Sequence, residues 1–290
     1  MKRPNLFLLI LAAVLIPMMA KAQTHPVVQR EHISIRDEGG RGSTVILIPG
    51  LSSPRAVWDG VVPGLKAKHH VLTVQVNGFG GDDPRDNLKP GILDGIVAEL
   101  DSHIRDRKIA SPAVVGHSMG GLVAMMLAVR HPDSAGRVMV VDALPFIGTI
   151  FQGGATVAAV TPNAVRMRDM IAATPPAKSP VTADPGGIWS NTPAGRIQVA
   201  EWGRRADPRV VAQAMYEDLT TDLRPDIAKI TARPFTVLYA TGAGPQAKAI
   251  WERDYAGSPA TLVPVADSLH FIMLDQPKIF AKALDEFLAK

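Results

Sequence analysis

The chain has 290 residues, 47% of them hydrophobic and 20% charged, with 31 Lys and Arg against 27 Asp and Glu for a formal net charge of +4. That composition excludes a disordered chain and suits a globular one, whose length fits either about two domains or one large α/β domain. With no Cys, disulfide scaffolds, Cys-ligated zinc, iron–sulfur clusters and thiol nucleophiles are excluded, and any nucleophile must come from another side chain.

Lys2 and Arg3 precede an apolar run over 6–16, followed by Pro17 and the small-residue pattern Ala20-Lys21-Ala22. This is the layout of a secretory signal peptide over 1–22, cleaved near Ala22, so the expected location is periplasmic or secreted. The run is too short for a comfortable membrane span, which takes about 20 apolar residues. No stable membrane anchor is expected after cleavage. The leader holds three basic residues and no acids. Taking three from 31 leaves 28 basic against 27 acidic residues, a net charge of +1. The basic excess is therefore mostly an export signal, and a nucleic-acid partner is not expected.

Beyond the leader, short apolar runs alternate with helical patterns. Strands are expected at 31–36 and 44–48, a helix-like segment at 55–68, a strand at 71–76 and an amphipathic helix from 91 to about 107. A strand at 113–115, a helix at 122–130 and a strand at 137–141 continue the order. Between 144 and 230 strand-like runs vanish and helical patterns occupy 163–173, 196–205 and 208–218. Strand, helix, strand, helix then resume at 235–240, 246–255, 261–265 and 277–288. The expected fold is a mostly parallel, doubly wound α/β sheet, its core at 23–143 and 231–290, with a helical cap inserted over 144–230.

The sharpest local signal is Gly116-His117-Ser118-Met119-Gly120-Gly121, between a strand and a helix. A turn this tight pushes the serine into an exposed, strained conformation, and small residues two positions to either side let neighbouring backbone approach. The bland alternative makes Ser118 a helix cap. A serine hydroxyl is a weak nucleophile until a base takes its proton. Of eight histidines, His25, His32, His69, His70 and His103 fall near strand starts or on expected solvated surface. His117 should leave the turn in another direction, and His131 follows a helix as a cap would. His270 remains, in the loop after the last strand. In a parallel sheet that loop shares the C-terminal edge with Ser118.

Ile48-Pro49-Gly50-Leu51-Ser52-Ser53, Val115-Gly116-His117-Ser118-Met119-Gly120-Gly121 and His270-Phe271-Ile272-Met273-Leu274-Asp275-Gln276-Pro277 together resemble the α/β-hydrolase superfamily, in particular its bacterial carboxylesterase-like serine hydrolases. The resemblance implies that Ser118 is the nucleophile, that His270 is the base and that the backbone N–H groups of Leu51 and Met119 form an oxyanion hole. It also implies that the insertion caps the site. The chain departs from the commonest pattern at the acid, because the loop 241–246 after the 235–240 strand has no carboxylate. Some members carry the acid one strand earlier, which points to Asp142; Asp267 is the runner-up, Asp254 the third choice, and a loop-bracing role the bland reading of Asp142. Ser52, His117, Phe79 and Phe146 are expected at the substrate pocket. Trp58, Trp189, Trp202, Met167, Met170 and Met215 are further candidates, each more simply read as core packing.

The expected activity is cleavage of small-molecule carboxylic esters through an acyl-enzyme. No metal or cofactor motif is present, and none is expected. A slow or non-catalytic ligand-binding protein on the same fold, or a lactonase, acyltransferase, amidase or C–C hydrolase with the same residues, are the alternatives.

Overall fold

A computed structural model describes residues 25–290; the expected leader over 1–22 lies outside the described residues. Eight strands, β1 (Val27–Gln29), β2 (Ile33–Gly39), β3 (Thr44–Ile48), β4 (His70–Val76), β5 (Ala113–His117), β6 (Arg137–Val141), β7 (Phe235–Ala240) and β8 (Thr261–Val265), pair in the order β1-β2-β4-β3-β5-β6-β7-β8. Only β2 runs against its neighbours; β4, β3, β5, β6, β7 and β8 are parallel.

The apolar runs of the central strands bury both sheet faces, as a parallel sheet requires. Alternation by two assigns the sides. Ile46 and Ile48, Val114, and Val138 and Val140 pack on one face with α2 (Ile92–Asp106) and α3 (Met119–Arg130). Val45 and Leu47, Val115, and Met139 and Val141 pack on the other with α1 (Val62–Lys66) and α9 (Pro277–Leu288). In α9 the residues Phe280, Leu284, Phe287 and Leu288 recur at the spacing of one helical face and are buried. The edge strand β8 carries Pro264 on an exposed position, where a missing N–H costs no ladder bond.

The first strand, β1, was not expected: three residues carry too little periodicity to read. The 55–68 segment is a 3-10 turn over Arg55–Trp58 followed by α1, with Gly60 at the break and Pro63 in the first turn of α1. A short helix α8 (Ile272–Asp275) precedes α9, and α7 (Gln246–Asp254) joins β7 to β8.

Between β6 and β7 lie α4 (Val157–Ala172), α5 (Pro193–Arg204) and α6 (Pro208–Thr220). Thr156 caps α4 by accepting from the Ala159 N–H, so that helix begins well before the expected position. α6 bridges the C-terminal edge of the sheet. Just before it the Asp207 N–H donates to the Gly78 carbonyl beyond β4, and just after it the Leu223 N–H donates to the Pro145 carbonyl beyond β6, at 2.7 and 2.9 Å. A 13-residue helix is about 20 Å long, enough for three strand spacings of roughly 4.8 Å each. It therefore passes over the ends of β3 and β5.

Candidate active site

Ser118 sits between β5 and α3 at φ 53° and ψ −126°. Such a conformation costs a non-glycine residue on the order of 1–3 kcal/mol and persists only where its surroundings enforce it. Three glycines do so. A Cβ on Gly116 would lie 2.0 Å from the Gly120 carbonyl oxygen, one on Gly120 2.4 Å from the Ile48 oxygen, and one on Gly121 2.9 Å from the Ala143 Cβ. The strand–turn–helix is thus packed until only hydrogen fits, and the Ser118 N–H donates to the Val141 carbonyl at 2.9 Å. Ser118 itself remains partly exposed.

Three side chains from the ends of β5, β6 and β8 meet in one line. His270 Nε2 lies 2.9 Å from Ser118 Oγ, and His270 Nδ1 lies 2.7 Å from Asp142 Oδ2. The other oxygen of Asp142 accepts the Ala240 N–H at 2.8 Å. Asp142 adopts φ 49°, turning off β6 toward the end of β7, where the following loop supplies no carboxylate. Asp267 does not meet the imidazole: its carbonyl accepts from Asn191 and Gln276, and its carboxylate makes no hydrogen bond among the described residues. Asp254 is engaged elsewhere, by Thr149 and by Arg253 Nε.

Gly50 presses against this line. A Cβ there would come within 2.9 Å of His117 Nδ1 and 3.0 Å of Ser118 Cβ, so the backbone entering Leu51 passes directly beside the serine. Met119, the first residue of α3, has no intrahelical acceptor for its N–H. No acceptor for the Leu51 N–H occurs among the described residues. Two free donors beside a serine oxygen can stabilise a developing oxyanion, at roughly 2.7–4 kcal/mol of barrier for such a donor.

Several expected pocket residues are not at a surface. Phe79 and Phe146 have 0% exposure: Phe79 belongs to the core cluster beneath α6, and the Arg224 guanidinium lies over the Phe146 ring at 4.6 Å. Trp58, also fully buried, stacks on Phe280 in the opposite layer. His117 is fully buried as well, its ring 4.7 Å from both the His270 and Phe271 rings, and it holds the His270 carbonyl through Nε2 at 3.0 Å. It is a wall behind His270 instead of a pocket lining. Aromatic residues after the strands are drawn into the core because it is the nearest apolar volume. Ser52 is partly exposed and near Gly203 of α5. Trp202 is buried beside Phe271, whereas Trp189 is half exposed with its ring edge-on to His270 at 5.5 Å. Met170 is exposed, and Met167 and Met215 are partly buried. A recess of about 330 Å³ bounded by Ala56, Asp59, Trp202, Met273 and Pro277 contains none of the Ser118, His270 and Asp142 side chains.

Burial lowers His117 well below the usual imidazole range, and repulsion from a charged His270 adds to the effect. Its Nδ1 has no hydrogen-bond partner among the described residues, so it stays neutral. Asp218 on α6 keeps some exposed surface, yet the desolvation of its carboxyl by the atoms packed around it raises it to about 7, while attraction to His270 works against the rise. Asp218 was not foreseen, and one carboxylate in an amphipathic helix gives no sequence signal. The adjacent Glu217 points elsewhere, accepting from the Gly91 and Leu93 N–H groups that open α2 at 2.6 and 2.9 Å. His103, expected on solvated surface, is buried, and burial lowers it to about 4.

A parallel sheet with a strained serine after its fifth strand and a histidine beyond its last defines an α/β-hydrolase architecture. The chain belongs to the alpha/beta hydrolase family, whose model matches residues 45–283. Among solved structures it resembles the Thermogutta terrifontis thermophilic esterase, with a TM-score of 0.73, 19% identity and coverage of 91% of this chain and 98% of that one. The enol-lactonase of Burkholderia xenovorans gives a TM-score of 0.69 at 21% identity, covering 91% of this chain and all of that one. These likenesses concern the fold. A pimeloyl-acyl-carrier-protein methyl ester esterase of Neisseria meningitidis serogroup B is 37% identical over 109 residues, 36% of this chain and 37% of that protein. A probable esterase of Oryza sativa subsp. japonica is 26% identical over 122 residues, 41% of this chain and 45% of that protein. The chain spans less than half the length of these curated relatives.

Proposed function

We propose that the protein is a serine hydrolase that cleaves carboxylic esters of small molecules through an acyl-enzyme. The observation that carries this reading is the unbroken line from Ser118 Oγ through His270 to Asp142, at 2.9 and 2.7 Å. The esterases among the curated relatives support the reaction class.

In the proposed cycle Ser118 Oγ attacks the ester carbonyl carbon and gives its proton to His270 Nε2, while the carbonyl π electrons move to an oxyanion facing the Leu51 and Met119 N–H groups. Asp142 keeps the Nδ1 proton aligned and stabilises the imidazolium without accepting that proton. Collapse of the tetrahedral adduct breaks the ester C–O bond, and the departing alkoxide takes the proton from Nε2. Water then attacks the acyl carbon, giving its proton to His270, and release of Ser118 Oγ returns that proton and frees the acid. Export with removal of 1–22, to the periplasm or beyond, completes the reading. The signal-peptide pattern supports it.

Replacing Ser118 by Ala tests the reaction. Labelling by a fluorophosphonate probe should disappear, and p-nitrophenyl butyrate turnover should fall on the order of 10³-fold or more. Labelling retained in Ser118→Ala would place the reactive group elsewhere. For export, the mature protein recovered from outside the cytoplasm should begin near Gln23.

A further inference from the structure

Three consecutive residues around the imidazole are each pinned by one backbone group. The Leu269 N–H donates to Asp275 Oδ2 at 2.7 Å, the His270 carbonyl accepts from His117 Nε2 at 3.0 Å, and the Phe271 N–H donates to the Trp189 carbonyl at 2.9 Å. The middle pin comes from the core. The outer two come from Asp275 and from a strap at Trp189, Ser190 and Asn191, which lies between α4 and α5 in the inserted segment.

Asp275 joins these two. Besides Leu269, its carboxylate accepts the Ser190 hydroxyl at 2.5 Å and the Asn191 N–H at 3.1 and 3.2 Å. Asn191 Nδ2 reaches the Asp267 carbonyl at 2.5 Å, fastening the strap to the start of the same loop. Ser190 is fully buried. Its carbonyl is held by Arg196 Nη1 at 3.0 Å, which anchors the strap to α5. Hydrogen bonds to an ionised acceptor are shorter and stronger than neutral ones, and here they converge from two segments about 80 residues apart.

Proton transfer between Ser118 and His270 depends on ring position, and a displacement of about 1 Å can cost on the order of 10²-fold in rate. A loop held at only its central residue could swing about that pin. We propose that Asp275 is a positioning residue for His270: it clamps the Trp189–Asn191 strap onto the loop, so that the inserted segment helps to set the imidazole in place. The effect on rate rests on the activity proposed above; the clamp itself does not.

The test uses the full chain with Asp275→Asn and, as a milder change that spares the Leu269 contact, Ser190→Ala. Active sites are titrated so that kcat refers to folded molecules. With p-nitrophenyl butyrate, Asp275→Asn should lower kcat on the order of 10- to 100-fold with KM changed less than about threefold. Ser190→Ala should give a smaller loss in the same direction, and the lower limb of the pH–rate profile should move in both. If Asp275→Asn does not fold, Ser190→Ala carries the test. An unchanged kcat and pH profile in the folded variant overturns the proposal. If the wild-type protein turns over no ester, the proposed activity fails and the clamp is decided by NMR titration of His270: a titration moved by the substitution supports it, and an unmoved one overturns it.

Discussion

The backbone N–H of Ala240 donates to Oδ1 of Asp142 at 2.8 Å, leaving Oδ2 to His270 Nδ1. β7 thus provides an amide at the place where its following loop lacks an acid. The carboxylate is held from two sides.

Asp142→Asn should keep the fold and lower kcat on the order of 10³–10⁴-fold, because an amide facing Nδ1 favours the wrong imidazole tautomer. Asp267→Asn should leave kcat within about twofold of wild type. Steady-state kinetics on both variants decide the matter; the reverse ranking would make Asp267 the orienting acid.

Gly50→Ala should impair activity and stability together. Its methyl group would press on His117 Nδ1 at 2.9 Å and Ser118 Cβ at 3.0 Å, and overpacking of this kind typically costs about 1–3 kcal/mol. Thermal unfolding and the rate of fluorophosphonate labelling should both drop. A variant with wild-type Tm and labelling would show that the loop yields freely.

Asp218 gives stability a pH dependence. Its carboxyl titrates near 7 in the folded protein and near the ordinary carboxylate value when unfolded, so the native state holds the extra proton between these values. The stabilisation linked to that proton is complete below the unfolded pKa and is lost as pH rises through about 7. Asp218→Asn should remove this loss, raising Tm relative to wild type at pH 8 more than at pH 5. An equal change at both pH values counts against the raised pKa.

His103 works in the opposite direction. Burial holds it near 4 in the folded protein, so the unfolded state binds more protons once pH falls below the usual imidazole value. Its contribution is present above that value and is lost as pH drops toward about 4. His103→Leu, which also removes the unpartnered Nδ1, should raise the urea midpoint at pH 5 more than at pH 8. A pH-independent change would show that protonation of His103 does not drive the acid loss.

The sequence by itself determined the β-α alternation and the serine turn, because both are local: apolar runs, helical spacing, and glycines on either side of Ser118 within six residues. It also narrowed the histidines to one loop, since a parallel sheet gathers the loops after its strands on one edge. It placed Asp142 and Asp267 on that same edge and ranked Asp142 first through the resemblance alone. Only the tertiary structure brought Asp142 to the imidazole and turned Asp267 away, through the φ of Asp142 and the amide of Ala240. Likewise, Phe79 and Phe146 read as pocket residues from their places after strands and His117 from its place beside Ser118, yet packing drew all three out of reach of solvent. The contacts of Asp275 with Ser190 and Asn191 had no signal at all. They join segments far apart in the chain, and whether such segments touch depends on strand order and on how the inserted helices settle over the sheet edge, which no residue spacing records.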